Sequence, residues 1–156
     1  MKKLSILFVC LGNICRSPMA EGVLNQLIAE MGLDRDINVD SAATHNYHNH
    51  AQPDKRACLV AKAYGVDITN QRSRQITEGD FDKFDLIISM DKDNYQNLIR
   101  KSKQNHQKIK QLADYLDNSN YSYIPDPYYG NLSDFENSYL LIRGAVKALL
   151  ITLTEK

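Results

Sequence analysis

The feature that most constrains this chain is an unbroken apolar run, Ile6-Leu7-Phe8-Val9. It gives way to a short loop, Cys10 to Ser17, and then to a helical pattern from Pro18. A strand that is apolar at every position needs cover on both faces, as in a parallel sheet packed between helices. The turn from such a strand into a helix points backbone N–H groups and the positive end of the helix dipole at one place, which suits an anion. Gly12 permits close backbone approach there, and Asn13 tolerates left-handed dihedrals. Ser17 before Pro18 reads as an N-cap followed by proline in the first turn.

The same alternation of elements continues down the chain. Ala20, Leu24, Leu27 and Met31 fall at helical spacing, with Gly32 as a stop. Ile37 and Val39 predict a second strand ending at Ser41-Ala42-Ala43-Thr44. Pro53 opens a helix carrying Ala57, Val60, Ala61 and Tyr64 on one face, and Gly65 closes it. Leu86-Ile87-Ile88 is a buried strand, followed by Asp91 as an N-cap and a helix with Tyr95, Leu98 and Ile99. Ile109 and Leu112 predict a weaker edge strand. Phe135, Tyr139, Ile142, Val146, Leu149 and Leu153 form the core stripe of a last helix, with Ser133 and Glu136 as its capping box.

The expected architecture is therefore an α/β three-layer domain spanning residues 1–156, with a four-stranded parallel sheet and helices on both faces. In such sheets ligands bind beyond the carboxyl ends of the strands, where Cys10, Ser41 and Asp91 all fall. Two long loops, His45–Gln52 and Asp117–Ser133, are expected near the same edge.

Bulk properties exclude several classes of function. The 19 basic and 19 acidic residues balance, so nothing draws the chain to nucleic acid or to an acidic membrane surface. No apolar run approaches the roughly 18 residues of a spanning helix. The basic start, Met1-Lys2-Lys3, precedes an apolar stretch at the lower limit for a signal peptide, and no small-residue cleavage site follows it. Three cysteines are too few for a disulfide framework and fit a reduced, cytoplasmic setting. A monomer without cofactor is the expectation. His45, His48, His50 and Asp54 lack the cysteine partners or helical spacing of a zinc site, so no metal is expected.

The loop's residue types point to phosphate chemistry. A phosphate monoester is a dianion that repels nucleophiles until its charge is neutralised. Backbone amides from Leu11 to Arg16 can donate to phosphoryl oxygens, and the planar fork of Arg16 can bind two at once. The same positive surroundings favour the ionised, nucleophilic form of a cysteine sulfur at Cys10. Expulsion of the leaving oxygen needs a proton. Asp126, held between Pro125 and Pro127, is the candidate donor, its carboxyl aimed inward and away from water.

Cys10-Leu11-Gly12-Asn13-Ile14-Cys15-Arg16-Ser17-Pro18 resembles the active-site signature of the low-molecular-weight protein tyrosine phosphatases. Asp126-Pro127-Tyr128-Tyr129-Gly130 resembles the general-acid loop of that family, and the two stand in its order and at its chain length. The resemblance implies a phosphotyrosine phosphatase acting on tyrosine-phosphorylated proteins through a cysteinyl-phosphate. Cys10 is then the nucleophile, Arg16 the phosphate clamp and Asp126 the general acid and base. Leu11, Gly12, Asn13, Ile14, Cys15 and Ser17 would hold the phosphate, with Tyr47, Tyr128 and Tyr129 as cleft walls.

It further implies that Asn13, Ser17 and Ser41 share a hydrogen-bond network, and that Cys10 and Cys15 form a reversible disulfide. Read by itself, Cys15 serves equally as a small apolar filler. Many members place a histidine three residues before the Arg-Gln-Ile segment seen here as Arg74-Gln75-Ile76, where this chain has Gln71. Two other readings are a thiol-dependent arsenate reductase, which would need further relay cysteines, and a non-catalytic phosphotyrosine-binding module.

Overall fold

The computed structural model describes residues 3–103, 106–117 and 120–155. Strand β1 (Leu4–Cys10) leads through the loop into helix α1 (Arg16–Met31), and β2 (Ile37–Ala43) leads to α2 (Lys55–Ala63). A one-turn helix α3 (Asp80–Lys83) precedes β3 (Leu86–Ser89) and α4 (Lys92–Lys101). Strand β4 (Ile109–Gln111) and the long α5 (Leu132–Thr154) complete the fold. All strand pairs are parallel, in the order β2-β1-β3-β4.

Alternation along β1 builds both halves of the core. Ile6, Phe8 and Cys10 pack with residues of α1, α2 and α5. Leu7 and Val9 turn the other way, to Phe84, Ile87, Leu98 and Ile109. The sheet is thus covered on both faces, which explains the lack of a polar residue at any position from Ile6 to Val9. The chain passes from β1 to β2 on one side and then crosses to β3 on the other side of β1. The loops leaving β1 and β3 therefore diverge at their carboxyl ends, opening a crevice between them.

Several local expectations are corrected. Helix α1 begins at Arg16 with Cys15 at the cap position, so Ser17 lies in the first turn and is not an N-cap. The capping box of α5 is formed by Asn131 and Asp134 rather than Ser133 and Glu136, because the helix starts at Leu132. A Cβ at Gly130 would collide with the Asp134 carboxylate that closes this box. Helix α2 is capped by Asp54, which accepts from the Arg56 N–H, so Pro53 stands just outside the helix. Strand β4 ends at Gln111, with Leu112 opening a 3-10 turn. Met31, placed on the apolar stripe of α1, is 54% exposed. Gly32 does end α1, in the left-handed conformation at φ 68°. Asp91 caps α4 as expected, accepting from the Asn94 N–H.

Candidate active site

Strand β1 delivers Cys10 to the crevice between β1 and β3. From there the backbone turns through Asn13, whose φ of 58° is the left-handed geometry that asparagine tolerates. Gly12 does not use a positive φ. Its missing side chain makes room for the His48 ring, which would lie 3.0 Å from a Cβ at that position.

The loop is fastened from behind. Asn13 Oδ1 accepts from the Arg74 N–H (3.1 Å), and its Nδ2 donates to Ser17 Oγ (2.8 Å) and Ser41 Oγ (2.9 Å). The orientation is forced, since a backbone N–H can only donate and must meet the amide oxygen. Ser17 Oγ, already accepting from Asn13, lies 3.0 Å from Cys10 Sγ, which leaves its own proton for the sulfur. That engagement occupies the hydroxyl expected to cap α1. Asn13 and Ser17 are almost fully buried and so stand behind the loop, not in the cavity.

Arg16 is 2% exposed, an expensive place for a charge unless it is paired. Its Nη1 donates to Asp91 Oδ2 (2.7 Å) and to the Ile124 carbonyl (2.8 Å), while Nη2 lies 3.6 Å from Asp126 Oδ2. Burial works against the charge, but Cys10, Asp91 and Asp126 outweigh it and hold the guanidinium above its usual range. One side chain thereby joins the loop after β1, the cap of α4 and the segment bearing Asp126.

Asp126 reaches the cavity from the opposite side. Its Oδ1 accepts from the Tyr128 N–H (3.1 Å), an Asx turn within the Pro-Asp-Pro segment. The segment is pinned at its base, where the Ile124 N–H donates to the Met90 carbonyl and Ser138 Oγ to that of Pro125. The carboxyl is aimed inward as expected, yet 39% of the side chain is exposed, so it is not sealed from water.

These residues enclose a cavity of about 300 Å³. Cys10, Leu11, Gly12, Ile14, Cys15 and Arg16 form its floor and near side, and Tyr47, Asp126, Tyr128 and Tyr129 its rim. Tyr129 is 96% exposed and meets Tyr128 edge to face, with ring centroids 4.9 Å apart. Cys15 shares the floor, but burial pushes its thiol up, with Cys10, Asp54 and Asp126 adding to the effect, so it keeps its proton. All three cysteines are free, and Cys58 is half-buried on α2, near the Pro53 carbonyl.

The parts that three residues play here were not read from the sequence. His48 lines the cavity and tilts against Tyr128, with centroids 6.2 Å apart. Arg56 pairs with Asp54 (2.9 Å) and donates to the Tyr128 and Gly130 carbonyls, both at 3.0 Å, so that it ties the tyrosine segment to α2. Asp91 was legible as a cap, but its pairing with Arg16 was not. The signal for it was position, at the carboxyl end of a strand beside β1. Gln71 donates to the Pro18 carbonyl (2.9 Å), so it supports the start of α1 and makes no hydrogen bond to Asn13.

Among the described residues no group of three His, Cys, Asp or Glu is arranged to hold a metal ion. His45 bonds Thr44 Oγ1 (2.7 Å) and stacks on Tyr47, while Asp54 is spent on α2 and Arg56. Nor is any helix among these residues long and apolar enough to cross a membrane. A thiol beneath a buried guanidinium, with a carboxyl group across the opening, is chemically suited to a tetrahedral oxyanion carrying a leaving group at its rim.

Comparison with known proteins agrees with this chemistry. The sequence pattern described as "Low molecular weight phosphotyrosine protein phosphatase" matches residues 5–156. The human protein of that name is 46% identical over 138 residues, 86% of each chain. The low molecular weight protein-tyrosine-phosphatase YfkJ of Bacillus subtilis is 38% identical over 154 residues, covering 98% of this chain and 97% of that one. A protein tyrosine phosphatase from Entamoeba histolytica, crystallised with Hepes in its active site, superposes with a TM-score of 0.94 at 38% identity over 98% of both chains. The chain belongs to the low molecular weight phosphotyrosine protein phosphatase family.

Proposed function

We propose that this chain, read as one domain over residues 1–156, hydrolyses phosphotyrosine in proteins, and small aryl phosphates, through a cysteinyl-phosphate. The observation that carries the reading is the meeting of Cys10 and Arg16, from the loop after β1, with Asp126, from the segment before α5, around one cavity. Phosphoryl oxygens sit in the curl of backbone from Leu11 to Arg16, and the Arg16 fork takes two of them. The Cys10 thiolate attacks phosphorus, forming the S–P bond as the bond to the phenolic oxygen breaks. Asp126 gives its proton to that oxygen, so the leaving group departs as neutral tyrosine. The resulting carboxylate then takes a proton from water as the water oxygen attacks phosphorus. The S–P bond breaks, releasing inorganic phosphate and restoring the thiolate. The partial exposure of Asp126 suits this second step, which needs water beside the carboxylate.

Tyr47, His48, Tyr128 and Tyr129 frame an opening for a flat aromatic leaving group. Phosphoserine, lacking the length of the ring, would leave its phosphate short of the floor. The phosphatase acts as a monomer in the cytoplasm, where a reducing medium keeps Cys10 free. An arsenate reductase would need a relay of thiols. Cys58 is not among the residues that line the cavity, and no cysteine follows it.

The test is hydrolysis of p-nitrophenyl phosphate, its inhibition by vanadate, and loss of turnover in Cys10→Ser with the fold intact. Vanadate binding without turnover would mean a phosphotyrosine-binding module. Turnover that survives in Cys10→Ser would refute the mechanism.

A further inference from the structure

Behind the phosphate loop lies a carboxyl group that the mechanism does not use. Glu21, in the second turn of α1, accepts from Ser41 Oγ at 2.6 Å. The two bonds that Asn13 makes beyond it have a fixed direction. Asn13 Nδ2 can only donate, so the oxygens of both Ser41 and Ser17 must accept from it. Ser41 Oγ donates its proton to Glu21, and Ser17 Oγ lies 3.0 Å from Cys10 Sγ. A carboxyl and a thiol thus stand at the two ends of one chain, Glu21–Ser41–Asn13–Ser17–Cys10. Its midpoint, Asn13, is the residue held at a left-handed φ.

We propose that Glu21 is a positioning residue of the reaction, holding Ser41 in the orientation that braces Asn13, so that its charge sets how firmly the phosphate loop is held. This rests on the reading of Cys10 as nucleophile. The charged groups facing Glu21 are Asp40 on β2 and Arg74 beside the end of β2. Arg74 is itself paired with Asp40 (3.0 Å) and Asp80 (2.9 Å). A cleft of about 470 Å³ opens on the other side of Glu21, with Asp67 and the amides of Asn25, Gln26, Asn70 and Gln71 in its wall. Gln71 brings no charge to this surface.

Burial pushes the Glu21 carboxyl up to about 7, with Asp40 adding and the Ser41 hydrogen bond and Arg74 opposing. The group therefore changes charge across neutral pH. Ionised, it makes the stronger, charge-assisted bond to Ser41. Because its folded value is raised, the stability it confers is fully present below its ordinary range and is lost as pH rises through about 7. Ionisation thus tightens the loop while costing stability. A purely structural side chain would move activity and stability the same way.

The experiment measures kcat/KM on p-nitrophenyl phosphate from pH 5.5 to 8.5, with thermal midpoints, for wild type, Glu21→Gln and Glu21→Leu. The Gln variant keeps an acceptor for Ser41 but no charge. The expected ratio of wild type to Glu21→Gln is near unity at pH 5.5 and rises to about fivefold at pH 8, the scale of a charged against a neutral hydrogen bond. At pH 8 Glu21→Gln melts about 2 °C above wild type, and at pH 5 it melts with it. Glu21→Leu, with no acceptor, loses about tenfold at every pH. A ratio flat in pH, or a Leu variant within about twofold of wild type, overturns the role of Glu21 and leaves the reading of the active site standing. A wild-type chain without turnover overturns both.

Discussion

The two loops that meet over Cys10 are built in opposite ways. The loop after β1 is fastened from behind. Asn13, Arg16 and Ser17 are no more than 2% exposed, and each is hydrogen-bonded to a group distant in sequence or to the sulfur itself. The segment bearing Asp126, Tyr128 and Tyr129 is anchored at its base and by Arg56, with its tip in solvent. The difference follows from what each must do. An oxyanion cradle acts by being in place before charge develops, and any reorganisation during reaction would waste that advantage. A proton donor serves two steps and must admit substrate, leaving group and water in turn, so partial exposure is useful there.

Substitutions on the two sides should therefore fail differently. The largest effect is expected from Cys10→Ser, which removes the covalent route and lowers kcat by about 10⁴-fold or more. Circular dichroism should show the fold unchanged, and retained turnover would break the comparison at its root. Asp126→Asn comes next, with a loss of kcat of about 10²- to 10³-fold toward phosphotyrosine. The deficit should shrink for esters whose leaving group needs no proton, and an equal deficit for every leaving group would contradict the assignment.

Asn13→Ala tests rigidity. It removes three hydrogen bonds and leaves alanine at a left-handed φ, so kcat/KM should fall about 10- to 100-fold and stability by about 2–3 kcal/mol. Chemical denaturation checks the second figure. On the other side Arg56→Ala should leave kcat nearly intact and raise KM about threefold, because it frees the tyrosine segment without touching the chemistry.

The smallest effect concerns acid stability. Arg74 and the Thr77 N–H overcome burial and hold the Asp80 carboxyl below its usual range. A lowered carboxyl contributes stability at neutral pH that disappears as pH falls through its folded value. The advantage of wild type over Asp80→Asn should thus be about 1 kcal/mol at pH 7 and shrink as pH falls below the ordinary carboxylate range.

Much of this was legible in the sequence because periodicity and motif spacing are local. The apolar run before Cys10 and the stops at Gly32 and Gly65 each depend on neighbours a few residues away. What escaped was set by long-range contact. Ser17 reads as a cap until Cys10 and Asn13 claim its hydroxyl. Ser133 and Glu136 match a capping-box pattern, but the helix begins so that Asn131 and Asp134 close it. The short α3 has too few residues to show a period. His48 and Arg56 are ordinary loop and helix residues until the fold sets them beside Gly12 and the tyrosine segment.

The most direct measurement is rapid acid quenching of Asp126→Asn during turnover of p-nitrophenyl phosphate, whose leaving group departs without a proton, followed by mapping of the phosphorylated site by mass spectrometry. With the proton acceptor for water removed, phosphate should accumulate on the Cys10 sulfur. Phosphate found on another side chain, or none on the protein while p-nitrophenol is released, would contradict a thiolate at the floor of the cradle.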